Sequence, residues 1–224
     1  MPSADGPVQL TGHRPPARQT VGVVLILHGG GERGHHAVRP WSGPVLRMIP
    51  FAWAIRRRAK ALRPDLGGDF AVLRLRNTVY GWNGDDASPL RDARRALEEL
   101  ATAYPGQPVT LVGHSMGGRV ALRLAADPRV TAIAALAPWI PEGEGVLGSP
   151  EQRFLLMHGH LDRVTDPRRT KAYAARLIER GVRAQWRPVP GEGHAMLRSA
   201  RTWHREVAEF VVPQRDNPAK VTCE

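Results

Sequence analysis

The sequence predicts an α/β fold, a three-layer α/β/α sandwich built round a mostly parallel sheet. Three observations carry this. Short apolar runs alternate with longer helical patterns from Val21 onwards. The first run, residues 21–27, is apolar at both parities, as a strand covered on both faces must be. Helix start signals recur between the runs, and strand–helix alternation of this kind implies right-handed crossovers and parallel pairing.

Residues 70–75, 109–112, 131–136, 154–158 and 184–189 read as the further strands, each bounded by Gly, Pro or polar residues. Ser88-Pro89 opens a helix, with Ser88 as the N-cap and Leu90, Ala93, Leu97 and Leu100 as its apolar stripe. A second helix runs from Met116 to Ala126, directly after a strand. Asp166-Pro167 opens a third that stops at Gly181, and residues 201–210 form the last. Residues 33–68 are a helical excursion. Its apolar positions from Val45 to Ile55 precede Arg56-Arg57-Arg58, and the segment reads as a crossover helix packed on the sheet, in preference to a membrane-surface helix. Residues 1–212 are expected to form one domain, with 213–224 a frayed tail of low apolar content.

Composition narrows the setting. With 42% hydrophobic and 24% charged residues over 224 positions, the chain has the balance of a soluble globular protein. Cys223 is the only cysteine, so no intrachain disulfide forms and a reducing compartment suits it. The start of the chain lacks the basic-then-apolar pattern of a secretory signal, and residues 21–27 are too short to span a bilayer. The expectation is a cytoplasmic protein. The net charge of +11 comes almost wholly from arginine, since there are three lysines: Lys60, Lys171 and Lys220. Arginines fall on nearly every predicted helix, not in one stripe. The charge therefore reads as compositional, with no nucleic-acid partner expected and membrane contact not favoured.

The local signal for chemistry is Gly113-His114-Ser115-Met116-Gly117-Gly118, placed between a buried strand and a helix. A strand that turns sharply into a helix holds its serine in a strained conformation with the hydroxyl exposed, and small residues two positions either side let the turn close. The helix dipole also points at the place where an oxyanion would develop. This motif in this context resembles the α/β-hydrolase superfamily over roughly residues 20–212, most closely its small lid-less esterase or lipase-like members. The resemblance implies a nucleophile, acid and histidine in that chain order.

Ser115 is the implied nucleophile. His194, in the loop Gly191-Glu192-Gly193-His194 after the last strand, is the implied base, and His204 is a poorer candidate because it lies within a helix pattern. Asp162 stands where the family carries its acid, after the strand-ending His158-Gly159; Asp166 reads better as a helix cap. Leu27-His28-Gly29-Gly30-Gly31 resembles the family's oxyanion-hole segment, which implies the amides of Gly30 and Met116 as donors. A phosphate loop is disfavoured, because no Lys-Ser/Thr follows these glycines.

Other polar groups read more plainly. His35-His36 and His158-x-His160 lack a convergent third ligand, so no metal and no cofactor is expected. Asp85-Asp86 reads as the approach to the Ser88 cap. Trp82 and Trp139 follow strand ends and are candidates to line an acyl pocket. Only 14 residues, 140–153, separate that region from the acid strand, too few for the helical cap of larger relatives, so any lid must come from residues 33–68. The expectation is hydrolysis of a small-molecule ester or thioester through an acyl-enzyme. Acyl transfer by the same residues is the nearest alternative, and a non-catalytic binding member of the fold is the alternative of another kind.

Overall fold

The computed structural model describes residues 8–213. Seven strands form one sheet: β1 (Gln9–His13), β2 (Thr20–Leu27), β3 (Asp69–Arg76), β4 (Val109–His114), β5 (Val130–Leu136), β6 (Arg153–Gly159) and β7 (Arg183–Val189). Their order is β1-β3-β2-β4-β5-β6-β7. All neighbours pair in parallel except β1, which runs antiparallel along β3. The six expected strands are all present. β1 is the addition: its residues are mostly exposed, so an edge strand of this kind leaves no apolar run to read.

Helices α3 (Ser88–Ala103), α4 (Met116–Arg123) and α5 (Pro167–Glu179) cover one face. There Leu97, Leu100, Val120 and Tyr173 pack on Leu25, Leu73, Leu111 and Ile133. The short α1 (Gly43–Arg47), α2 (Ile49–Leu66) and α6 (Ala200–Val211) belong to the other, where Phe51, Ile55, Trp203 and Val207 meet Val24, Ile26 and Val112. Each such side chain, fully removed from water, contributes about 1.5–3 kcal/mol. The central strands are thus buried on both sides, which is why they lack alternation.

Two local expectations are corrected. Ser88 is not the N-cap of α3: Ala87, at φ 41°, takes that place, Ser88 is already helical, and no side chain caps the end. The helix after Ser115 is α-helical only to Arg123 and finishes as a 3-10 turn over Leu124–Ala126. Residues 33–68 contain α1 and α2, and α2 packs on β3 and α6 as a crossover helix. The tail expectation, apart from Pro213, lies outside the described residues, as does Cys223. Among the described residues, no helix is long and apolar enough to cross a membrane.

Candidate active site

Ser115 joins β4 to α4 with φ 56° and ψ −116°, a conformation that side chains other than glycine rarely adopt. The glycines explain how the turn closes. A Cβ on Gly113 would run into the Gly117 carbonyl, and one on Gly117 into the backbone of Leu27 and His28. The serine backbone is held on both sides: its amide donates to Leu136 O (2.9 Å), and its carbonyl accepts from the amides of Arg119 (3.1 Å) and Trp139 (3.0 Å).

The structure brings Ser115, His194 and Asp162 together from three loops at the carboxyl edge of the sheet. Ser115 Oγ lies 3.0 Å from His194 Nε2, and His194 Nδ1 lies 2.7 Å from Asp162 Oδ2. An ionised carboxylate only accepts, so Nδ1 carries the proton and Nε2 is left to accept from the serine hydroxyl. The histidine loop is framed by buried Glu192, whose carboxylate accepts from the amides of Gly193 (2.9 Å) and Ser199 (2.6 Å). Its carbonyl accepts from Leu161 (2.8 Å), which ties the acid loop to the histidine loop.

Asp162 is surrounded by donors. Oδ1 accepts from the amides of Val164 (2.8 Å) and Thr165 (3.0 Å), while Oδ2 accepts from His158 Nε2–H at 3.0 Å and lies 3.0 Å from Thr165 Oγ1. Burial alone would raise its carboxyl, but the hydrogen bonds from His158, His194 and the two amides outweigh burial and hold it below the usual carboxylate range. Asp166 does something else: it caps α5, accepting from the Arg168 amide at 2.9 Å. Neither Thr165 nor the contact made by His158 was legible beforehand, since both depend on how the loop folds back on β6.

Gly30, expected with Met116 to donate its amide to an oxyanion, lies against the Met116 side chain. A Cβ on Gly30 would strike Tyr80 O and the Met116 thioether, so only a bare backbone fits beside the start of α4. The neighbouring Gly31 amide is engaged with Tyr80 O (3.3 Å). His28 fixes the turn, donating from Nδ1 to Gly29 O (2.6 Å) and accepting the Asn77 amide at Nε2 (3.1 Å).

Residues 23–221 match the model of a family described as the alpha/beta hydrolase family. The chain belongs to the alpha/beta hydrolase family. Similar solved structures include a putative alpha/beta hydrolase of unknown function from Agrobacterium tumefaciens, 16% identical, with 91% of this chain and 88% of that one covered at a TM-score of 0.66. An alpha-beta serine hydrolase homologue from Coxiella burnetii is 18% identical, with coverage of 92% and 91% and a TM-score of 0.63. A serine hydrolase without a lid from Xanthomonas campestris is 19% identical, with coverage of 92% and 89% and a TM-score of 0.61. At these identities the likeness shows the fold. Among curated proteins, the 30 kDa magnesium-chelatase subunit of Rhodobacter capsulatus is 29% identical over 126 residues, 56% of this chain and 38% of that protein. The chain therefore spans well under half the length of that relative.

In this alpha/beta hydrolase, Trp82 and Trp139 sit edge to face with ring centroids 6.0 Å apart. The Arg119 guanidinium lies over both, 3.9 Å from the Trp82 centroid and 4.6 Å from that of Trp139. Arg119 follows Ser115 by one helical turn and forms one stack with the two tryptophans, of which Trp82 is buried against the core. Buried Glu144 holds the arginine through Nε (2.9 Å) and pairs also with Arg123. Two arginines of α5 and the one at its C-cap fasten the same loop by its carbonyls: Arg169 to Ile140 (3.4 Å), Arg176 to Glu144 (3.5 Å) and Arg180 to Val146 (2.7 Å). Sequence reasoning missed Arg119 and Glu144 because neither sits in a motif.

His114 and His204 serve structure. His114 is wholly buried, donates from Nε2 to the His194 carbonyl (3.0 Å), and has its pKa pushed down to about 3 by burial and by the neighbouring His194. His204, in α6, packs edge to face on Phe51 of α2. Among the described residues, no three His, Cys, Asp or Glu side chains converge as a metal site.

Proposed function

We propose that this hydrolase cleaves a carboxylic ester or thioester through an acyl-enzyme on Ser115. The observation that carries the reading is the continuous chain from Ser115 Oγ to His194 Nε2 (3.0 Å) and from His194 Nδ1 to Asp162 (2.7 Å). The serine oxygen attacks the substrate carbonyl as its proton passes to His194 Nε2, and the carbonyl oxygen takes the negative charge. Amides of Gly30 and Met116, with the dipole of α4 behind them, stabilise that oxyanion. As the intermediate collapses, the imidazolium returns the proton to the departing alkoxide or thiolate. Water then repeats the sequence: it gives a proton to His194, attacks the acyl carbon, and the carboxylic acid leaves as Ser115 regains its hydrogen. Asp162 stays ionised throughout, fixing the imidazole tautomer and stabilising the imidazolium. The Trp82–Trp139 pair is the candidate to flank the acyl group.

The test is labelling with a fluorophosphonate probe followed by peptide mapping, alongside hydrolysis of p-nitrophenyl acetate. The expected result is modification of Ser115 and turnover abolished by Ser115→Ala. Absence of both labelling and turnover in the folded protein would rule the reading out.

A further inference from the structure

Seven large apolar side chains stand exposed among the described residues, and their placement is uneven. Leu161 and Val164 flank Asp162, and Leu197 follows His194 by three residues. Trp41 and Leu46 lie in the segment that leaves the 29–31 turn, and Trp53 stands in the second turn of α2. Ile178, near the end of α5, lies away from the others. The segments after β6 and β7, which carry Leu161, Val164 and Leu197, emerge at the carboxyl edge of the sheet; α2 starts from that same edge as a crossover helix, and Arg47 just before it lies within electrostatic reach of His114. The exposures are large: 65% for Trp41 and for Trp53, 72% for Val164 and 69% for Leu197. Scattered exposed leucines need no explanation, but six large apolar groups on segments that share the carboxyl edge of the sheet mark an interaction surface.

The charge around this rim indicates what covers it. Arg56, Arg57 and Lys60 follow Trp53 on the exposed side of α2, and Arg39 lies 5.8 Å over the Trp41 ring. On the other side of the mouth, Arg163, Arg168 and Lys171 join Val164 and Trp186 in lining a groove of about 730 Å³. Arg198 is exposed beside Leu197. The acids exposed on these segments are fewer: Glu32 after β2 and Asp65 at the end of α2, while Asp166 is engaged with Arg168. Apolar tips, tryptophans and a collar of arginines together suit a surface that dips into a lipid headgroup layer of negative charge.

We propose that the face surrounding the site mouth docks onto an anionic lipid surface. A nucleic acid would use the cations but leave Leu46, Val164 and Leu197 without a partner, and a second copy of this chain would bring cations against cations. α2 serves both layers, with Phe51 and Ile55 turned to the sheet and Trp53, Arg56 and Arg57 turned outward. The docking is independent of the chemistry assigned to Ser115. Its consequence, that the scissile ester is drawn from the bilayer, rests on that reading.

The experiment is co-sedimentation of the Ser115→Ala chain with phosphatidylcholine vesicles, with and without phosphatidylglycerol. The expected result is binding only to the anionic vesicles, a blue shift of tryptophan emission, and weakening with added salt. Trp41→Ser with Trp53→Ser, and separately Arg56→Glu with Arg57→Glu, should each lower partitioning by about tenfold or more. In the wild-type background these pairs should leave p-nitrophenyl acetate hydrolysis unchanged. No binding, equal binding to neutral vesicles, or binding untouched by either pair would overturn the proposal. So would tighter binding to duplex DNA, or a dimer in solution that the tryptophan pair dissolves. Missing fluorophosphonate labelling with vesicle binding intact would sink the assignment of Ser115 and leave the docking standing.

Discussion

His158 and His194 share one oxygen of Asp162, with ring nitrogens 3.0 and 2.7 Å from Oδ2. His158 is fully buried, and its other nitrogen lies 2.8 Å from Thr170 Oγ1. Because the carboxylate only accepts, His158 donates from Nε2 and takes the threonine proton at Nδ1. This orients the acid from behind. His158→Leu is expected to lower kcat/KM about tenfold and to cost roughly 1–3 kcal/mol of stability, from an Asp162 deprived of one donor and a Thr170 left unpaired. Esterase kinetics with urea unfolding checks both, and the activity loss should be far smaller than that of His194→Ala.

The backbone of Ser115 stores strain that its chemistry requires. Glycine accepts φ 56° without that cost, so Ser115→Gly should gain about 1 kcal/mol and raise the melting temperature by about 2–4 °C while removing all activity. Calorimetry of the two proteins decides it; a lower melting temperature would count against the strain.

Gly117→Ala tests the turn from the opposite direction. The added methyl meets the backbone of Leu27 and His28, which cannot swing aside as a side-chain tip would. The expected outcome is a loss of more than about 2 kcal/mol in denaturant unfolding. Gly145→Ala serves as a control for crowding, because its Cβ would meet nothing and its backbone lies outside the left-handed region.

Stability should fall in mild acid. His114 has a folded-state pKa depressed from 6.5 to about 3, so its contribution is complete above pH 6.5 and is lost progressively as pH falls towards 3. That window corresponds to about 1.4 kcal/mol per pH unit for one such group. Burial lowers His28 too, which adds to the same slope. His114→Gln, which keeps a donor for the His194 carbonyl, should flatten the decline between pH 6.5 and 4.5 by about one proton's worth. Urea melts across that range measure it.

Removing Arg119 should expose how much Glu144 depends on it. The carboxylate is buried, and Arg119→Met leaves only Arg123, which is far more solvent-exposed, to balance it. A loss of about 3 kcal/mol or less is expected, below the usual cost of orphaning a buried charge because one cation stays. Glu144→Gln should cost less. A double-mutant cycle in urea isolates the coupling.

Much of this molecule was readable in its letters, for physical reasons. Strands buried on both faces must be apolar throughout, and the serine turn must place glycine where backbones nearly touch, so both leave marks in a short window. Asp166 shows itself as a cap through the proline that follows it. What stayed hidden depends on distant segments meeting. β1 gains its identity only from pairing with β3, and Ala87 displaces Ser88 as the cap because it closes a 3-10 turn over Gly84–Asp86 in a left-handed conformation directly before the helix. Thr165 and His158 reach Asp162 only once the loop closes over β6. The Arg119–tryptophan stack joins three elements, none of which signals the others.

The arginine-fastened loop at 140–147 has a kinetic consequence. Five guanidinium groups, from α4, α5 and the C-cap of α5, hold it by carbonyl and carboxylate. A rim secured in this way adds no opening step of its own, leaving any gate to residues 33–68. Ligand exchange past it is then governed by encounter and escape, and solvent viscosity should slow turnover only for substrates whose chemistry is already faster than their departure.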